Sequence, residues 1–154
     1  MIQRIQTVYL LLVTLFTGLM FALPLAEFMG DGQTASLWAY GILDADSVRI
    51  LPTSQMAVLM TLSTILPFMT VFLYKRRWLQ IRMCLVQFVL QLGIIAFLVY
   101  YILKLNSTFA QYSMHSMSLG VADIFPVLNL ILIFLAYRGV VKDEALIKSL
   151  NRIR

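Results

Sequence analysis

Charged residues, cysteine and histidine are all scarce in this chain of 154 residues. Only 12% of the residues are charged, whereas 61% are hydrophobic and the mean hydropathy is +0.88. A soluble domain of this size needs much more polar surface, so the composition indicates a multi-pass membrane protein. The length allows one domain, which we assign to residues 1–154. Cys84 is the only cysteine, which excludes an intramolecular disulfide and a multi-cysteine metal site.

Motifs for catalysis and cofactor binding are absent as well. His115 is the only histidine, so a two-histidine haem or metal site cannot form within one copy of the chain. The sequence contains no phosphate-binding glycine loop and no nucleophile elbow. No ionisable residue lies at the centre of an apolar run, although proton relays and ion-coupled transporters usually need one. We therefore expect no enzyme activity, no metal and no cofactor.

Four long apolar runs dominate the sequence, at residues 8–26, 56–74, 83–103 and 121–137. Each approaches the ~20 residues that cross the hydrocarbon layer as a helix, and no water is present there to satisfy any other backbone conformation. The runs predict an all-α membrane protein, a bundle of four transmembrane helices. The stretch DADS, 44–47, lies between segments rich in aromatic and branched residues, which predicts a turn in a short hairpin or loop outside the membrane.

Basic residues are distributed unequally between the two sides of the predicted bundle. Ten of the 12 Lys and Arg residues share one side with both termini, and the other side holds only Arg49 and Lys104. Because cytoplasmic loops carry the Lys/Arg excess, both termini are predicted to be cytoplasmic. The loop YKRRWLQIR, 74–82, supplies four candidate topology determinants: Lys75, Arg76, Arg77 and Arg82. These cations also allow contact with anionic lipid, whereas nucleic-acid binding is not expected.

The third apolar run carries a polar face. Gln80, Cys84, Gln87 and Gln91 are separated by four, three and four residues, so they share one side of a helix. With Asn129 of the fourth run, Gln87 and Gln91 form a candidate intramembrane polar cluster. Two interpretations stay open: a polar path or binding pocket, and hydrogen bonds that join helices at ~0.6 kcal/mol each. In either case both glutamines should point into the bundle, because an unpaired amide in hydrocarbon costs several kcal/mol.

The tail, residues 139–154, is predicted to form an amphipathic helix in the cytoplasm. One hypothesis is a basic helix that lies on anionic lipid. The other is a docking element whose apolar residues fill a groove on a partner while its cations pair with acids at the rim of that groove. The candidate partner-binding residues are Leu146, Lys148, Leu150, Arg152 and Ile153.

Three segments give the chain a family resemblance: MIQRIQTVYLLL at the start, YKRRWLQIR in the middle, and AYRGVVKDEALIKSLNRIR at the end. Together they resemble a family of small four-span membrane proteins of Bacteroidota that is catalogued as a domain of unknown function. The family tail commonly reads Asp-Arg where this chain has Asn151-Arg152. The resemblance implies a bacterial inner-membrane location, which makes the outer loops periplasmic, and it supplies no catalytic residues.

These observations favour a non-enzymatic accessory subunit or assembly factor of a larger inner-membrane complex. Its partners would be the lipid bilayer and another membrane protein. The alternative is a small oligomeric transporter or channel that uses the polar face of the third span. A membrane enzyme acting on a lipid or quinone is least favoured, because the spans lack central ionisable groups.

Overall fold

The computed structural model describes residues 3–30, 33–44, 46, 48–73, 76–109 and 114–151. It contains four long helices: α1 (Gln3–Ala22), α2 (Ser54–Phe72), α3 (Arg77–Phe109) and α4 (Phe125–Asn151), the last preceded by a 3₁₀ turn at Val121–Ile124. All four are long and apolar enough to cross a membrane. The prediction of a multi-pass membrane protein with four apolar helices is thereby confirmed. The prediction of an all-α fold is wrong, because the chain also forms a five-stranded sheet.

The helices pack in a closed ring in which α1 contacts α2 and α4, and α3 contacts α2 and α4. Their buried positions repeat at alternating intervals of three and four residues, which is the heptad spacing of left-handed helix packing. The buried positions are Gln6, Leu10, Val13, Thr17 and Met20 in α1; Met56, Met60, Ser63, Pro67 and Thr70 in α2; Gln80, Cys84, Gln87, Gln91, Ile94, Leu98, Tyr101 and Leu105 in α3; and Pro126, Asn129, Ile133, Ala136 and Val140 in α4.

A five-stranded antiparallel sheet covers one end of the bundle. The strands are β1 (Ala26–Gly30), β2 (Gln33–Trp38), β3 (Gly41–Asp44), β4 (Arg49–Pro52) and β5 (Met114–Leu119), in the spatial order β4-β3-β2-β1-β5. The predicted hairpin around 44–47 is present as β3–β4, but the short hairpin or loop is only one part of a larger sheet. We call this end of the bundle the sheet end and the opposite end, which carries residues 76–82 and 138–151, the basic end.

The sheet alternates between an apolar face on the bundle and a face turned away from it, which we call the distal face. Phe28, Leu37 and Ile42 are almost completely buried, whereas Glu27 and Met29 are exposed. The buried residues join the side chains at the sheet end of the helices in one apolar cluster. This period-two pattern is typical of an antiparallel sheet with one covered face.

Two junctions fix the sheet to the bundle. Between β4 and α2, the buried Thr53 hydroxyl donates to the carbonyl oxygens of Ala39 at 3.0 Å and Trp38 at 3.2 Å. Between β5 and α4, the Gly120 amide donates to the Leu25 carbonyl at 2.8 Å. A Cβ atom on Gly120 would lie 2.4 Å from the Pro24 carbonyl oxygen, so only glycine allows this approach. The sheet is therefore connected to the helices by hydrogen bonds at both junctions.

Helix boundaries differ from the predicted spans: α2 is shifted by two residues, and α3 extends beyond residues 83–103 in both directions. α1 ends at Ala22 rather than at residue 26, because Pro24 interrupts the helix and residue 26 already belongs to β1. α4 continues without a break to Asn151, so residues 139–151 of the tail are helical but do not form a separate helix. No proline follows Pro126 in α4, and Gly139 lies within the helix without interrupting it.

Candidate functional site

Gln87 and Gln91 both point into the bundle, as predicted, with exposed fractions of 1% and 0%. Gln87 Nε2 donates to the Ser63 carbonyl oxygen and to Ser63 Oγ, both at 2.8 Å. The Ser63 hydroxyl in turn donates to Gln91 Oε1 at 3.1 Å. One serine of α2 therefore joins both glutamines of α3.

Pro67 explains why Gln87 reaches the backbone of α2. In a regular helix the amide of residue 67 would donate to the carbonyl of residue 63, but proline has no N–H. The Ser63 carbonyl is consequently left without its helical partner inside a membrane, where an unpaired group is costly. Gln87 supplies the missing donor from the neighbouring helix. The proline and the glutamine thus act as a pair that sequence reasoning did not connect.

Asn129 belongs to a different group of hydrogen bonds. Its Nδ2 donates to Thr17 Oγ1 at 3.0 Å, and the Thr17 hydroxyl donates to the Val13 carbonyl at 2.8 Å. Asn129 therefore joins α4 to α1, while Gln87 and Gln91 join α3 to α2. Within the described residues, no hydrogen bond connects Asn129 to either glutamine.

Three atoms of this polar layer are buried without a hydrogen-bond partner among the described residues: Gln87 Oε1, Gln91 Nε2 and Asn129 Oδ1. They comprise two acceptors and one donor. Buried amides are normally satisfied, often by an internal water that makes about three hydrogen bonds. These side chains form hydrogen bonds that join the helices, which is one of the two interpretations of the cluster. Their three unpaired atoms could also bind water or a small polar group.

The tail begins as an integral part of the bundle. Val140 is 1% exposed, and Gln6 Nε2 of α1 donates to Asp143 Oδ2 at 2.9 Å. Gly139 makes this possible, because a Cβ there would lie 2.9 Å from Gln6 Cγ. Leu146 is half-exposed further along the helix. The backbone at Lys148 and Leu150 is helical but their side chains are outside the description, and Arg152 and Ile153 lie outside the described residues altogether.

The predicted topology determinants lie at the basic end of the bundle. Arg76 and Arg82 are exposed, and the Arg82 guanidinium carbon lies 3.3 Å from the centroid of the Trp78 ring. Arg77 starts α3, although its side chain is not described, and Lys75 is outside the described residues. The exposed arginines and Trp78 suit a membrane interface, where such side chains anchor a helix end. Which side of the membrane they occupy stays a prediction.

The distal face of the sheet carries a groove that sequence reasoning missed. Its volume is about 330 Å³, and its lining combines aromatic, hydroxyl and carboxylate side chains: Glu27, Phe28, Met29, Thr34, Ala35, Ser36, Trp38, Leu43 and Asp44. The Trp38 indole N–H donates to Ser36 Oγ at 2.9 Å, which fixes the orientation of the ring. The Trp38 and Tyr40 rings lie 5.9 Å apart, and Arg49 lies 6.0 Å from the centroid of the Tyr40 ring.

This composition is suited to binding a partner or a polar ligand outside the membrane. Aromatic side chains supply contact area at low entropic cost, while the hydroxyls and carboxylates supply directional hydrogen bonds. Within the described part of the chain, no three His, Cys, Asp or Glu side chains come together as a metal site. The sequence signal for the groove was Asp31-Gly32, a typical hairpin dipeptide, between the segments that became β1 and β2.

The chain matches a protein-family profile. No curated protein matches the chain. A family profile described as "Domain of unknown function (DUF4293)" matches residues 2–153, which is almost the whole sequence. The four-helix bundle, its polar layer and the sheet that covers it are thus all contained within the matched region. The chain belongs to this family of unknown function.

Proposed function

We propose that this protein is a non-enzymatic accessory subunit or assembly factor of a larger membrane complex in the bacterial inner membrane, and that it binds its partner through the distal face of the sheet. In this proposal both termini are cytoplasmic and the sheet is periplasmic. The orientation rests on the unequal distribution of Lys and Arg. The inner-membrane location rests on the family resemblance.

The observation that carries the proposal is the exposure of apolar and aromatic side chains on a rigid surface outside the spans. Met29 is 53% exposed and Tyr40 is 41% exposed, and Met29 contributes to the groove. In this proposal lipid does not account for the exposure, because β1–β4 connect the end of α1 to the start of α2 and lie outside the spans. Exposed apolar patches with aromatic residues and a polar rim are typical of protein interfaces.

The tail offers a second contact on the opposite side of the membrane. Since Asp143 is hydrogen-bonded to Gln6, the bundle extends at least to that residue. Beyond that residue α4 continues to Asn151, and Leu146 is half-exposed. Its docking role and its lipid-surface role both stay proposals, and either is compatible with partner binding at the sheet.

Purification in mild detergent, followed by mass spectrometry of co-eluting proteins, tests the proposal. We expect one stoichiometric membrane-protein partner, which Met29→Glu should release by placing a charge in the groove. Val48→Glu is the matched control, because Val48 is 63% exposed but does not line the groove. Retention of the partner by Met29→Glu, or purification of the chain alone or only with itself, would contradict the proposal.

A transporter or channel is a second candidate, favoured by the unpaired amide atoms of Gln87, Gln91 and Asn129. The burial of both glutamines inside a single chain does not favour a pore between subunits. Solute flux into proteoliposomes, measured with the unmodified protein and with Gln91→Leu, tests this candidate. Flux that is lost in Gln91→Leu would support it, and equal rates in protein-free vesicles would exclude it.

A further inference from the structure

A separate groove lies between α3 and α4, toward the basic end of the bundle. Its volume is about 210 Å³, and six residues line it: Cys84, Leu85, Phe88, Ile133, Phe134 and Tyr137. Cys84 and Ile133 form a floor that is 1% exposed, while Leu85 and Phe134 at the rim are about half-exposed. Both rim residues lie within candidate membrane spans, so the groove opens toward hydrocarbon rather than toward water.

The size and chemistry of this groove restrict what fits in it. Its lining is almost entirely apolar, and its volume is below the ~300–1,000 Å³ typical of pockets for drug-sized ligands. A ring-shaped cofactor or a polar solute would make few polar contacts in this groove. A narrow, flexible hydrocarbon chain meets both requirements, and lipid acyl chains are the molecules present at that depth.

Two arginines mark the end of the groove nearest the basic end. Arg82 precedes the rim residue Leu85 by three positions, and Arg138 follows the rim residue Phe134 by four, so each lies on the same helical stripe as its rim residue. Because α3 and α4 run in opposite directions, both arginines lie at the same end of the groove. Both are exposed, and neither has a salt-bridge partner among the described residues.

We propose that this groove is a binding site for an anionic glycerophospholipid. One acyl chain occupies the apolar cleft between α3 and α4, and Arg82 and Arg138 hold the phosphate. Guanidinium groups bind phosphate through paired, charge-assisted hydrogen bonds, which suits them to this role. The site differs from general attraction of lipid to a basic surface, because it requires the cleft and two particular cations together. It is independent of partner binding at the sheet.

Tryptophan fluorescence offers a direct test. The chain has two tryptophans, so Trp38→Phe leaves Trp78 as the only one. Trp78 lies four residues before Arg82, on the stripe that leads to the groove. The full-length protein would be reconstituted at low salt in phosphatidylcholine vesicles that contain the same mole fraction of either brominated phosphatidylglycerol or brominated phosphatidylcholine. We expect the anionic quencher to quench Trp78 more strongly.

Arg138→Gln is the informative variant, because it removes one phosphate contact without altering the Arg82–Trp78 contact. It should lower the preference for the anionic quencher at least tenfold, since a hydrogen bond to a charged group contributes ~1.5–3 kcal/mol and 1.4 kcal/mol is tenfold. Arg76→Gln is the matched control, because it removes an equal charge from the basic end at a position off the groove stripe. The preference of Arg76→Gln should fall by no more than about fivefold, which is the ~1 kcal/mol of one surface cation.

The cleft itself is tested with Phe134→Ala, which should weaken quenching by both brominated lipids. Its control is Phe72→Ala, a lipid-exposed phenylalanine on α2 that is remote from the groove residues. Equal quenching of the starting protein by the two lipids would overturn the proposal. So would equal losses in Arg138→Gln and Arg76→Gln, which would indicate general surface attraction. Quenching that falls as the protein-to-lipid ratio rises would also overturn it, because a second copy would then cover the groove.

Discussion

The contact between Gln87 and the Ser63 carbonyl gives the sharpest stability prediction. Gln87→Leu replaces the amide with an apolar side chain of similar volume. It removes the donor that compensates for Pro67 and leaves the Ser63 carbonyl unpaired in an apolar interior. We expect the variant to fold with the same architecture and lower stability, because the heptad packing position of residue 87 is retained.

The expected cost follows from two ranges. An unsatisfied buried carbonyl costs ~1–3 kcal/mol, and interhelical hydrogen bonds in membrane proteins average ~0.6 kcal/mol with a maximum near 1.7. Gln87 makes two such bonds to Ser63. We therefore expect Gln87→Leu to lower the free energy of unfolding by about 1.5 kcal/mol.

A double-mutant cycle with Pro67→Ala isolates the cause. The backbone amide that Pro67→Ala restores can donate to the Ser63 carbonyl within α2, so the carbonyl no longer depends on Gln87. In that background, Gln87→Leu should cost only about 0.6 kcal/mol, the average for the one interhelical bond to the Ser63 hydroxyl. The coupling energy is then about 1 kcal/mol, within the range found for interacting residues.

Reversible unfolding in mixed micelles, followed by circular dichroism, measures all four proteins of the cycle. Gln80→Leu supplies the matched control, because Gln80 is also a buried glutamine of the same helix face but makes no contact with Ser63 among those described. Its cost should be the same with Pro67 present or replaced. A coupling energy of zero for Gln87→Leu, or an equal coupling energy for Gln80→Leu, would show that Gln87 does not compensate for the amide missing at Pro67.

Three other predictions concern the Gly120 junction, the orientation in the membrane and the tail. Gly120→Ala should lower the melting temperature in detergent by several degrees, because its Cβ would meet the Pro24 and Leu25 carbonyl oxygens. Gly18→Ala is the control: its Cβ meets nothing within 4 Å, so the melting temperature should be unchanged or slightly raised. Cysteines introduced by Gly32→Cys and Ser113→Cys should react with a membrane-impermeant thiol reagent in cells with a permeabilised outer membrane, and protection of both would contradict the proposed orientation. Deletion of residues 145–154, which spares the Gln6–Asp143 contact, should keep the protein in the membrane; if it also keeps every co-purifying partner and full function in cells, the tail is not a docking element.

The membrane-spanning part of this fold could be predicted from sequence because its signal is local. Apolar runs of ~20 residues allow only one backbone conformation in hydrocarbon. The inward orientation of Gln87 and Gln91 followed from the same reasoning, because an amide avoids lipid, and their burial confirms it. The continuous α4 was not predicted, because the charged residues after position 137 mark where the apolar run ends rather than where the helix ends.

The sheet could be predicted only in part because most of its pairing is not local. β5 pairs with β1 across more than 80 residues of chain, and no periodic pattern in the sequence indicates which strands pair over such a distance. The β1–β2 hairpin had a recognisable signal in Asp31-Gly32, but the adjacent apolar run of α1 obscured the start of β1. The groove on the distal face depends on the pairing of β2 with both β1 and β3, which is why its residues were absent from the sequence-based candidates.

The hydrogen-bond partners within the bundle were likewise beyond sequence reasoning. The spacing of Gln87, Gln91 and Asn129 placed each residue on an inner face, but it did not indicate which neighbouring helix each one faces. Only the folded bundle decides this: α4 contacts both α1 and α3, and Asn129 bonds to Thr17 of α1 rather than to the glutamines of α3.

In-cell photo-crosslinking from the distal face tests the proposed partner-binding role most directly. A photoreactive amino acid would replace Tyr40, which is 41% exposed beside Trp38, and, as a control, the lipid-facing Val58, which is 60% exposed. We expect one dominant crosslinked protein from position 40, which is absent from position 58 and can be identified by mass spectrometry. Crosslinks from position 40 only to a second copy of this chain, or the same products from both positions, would contradict it.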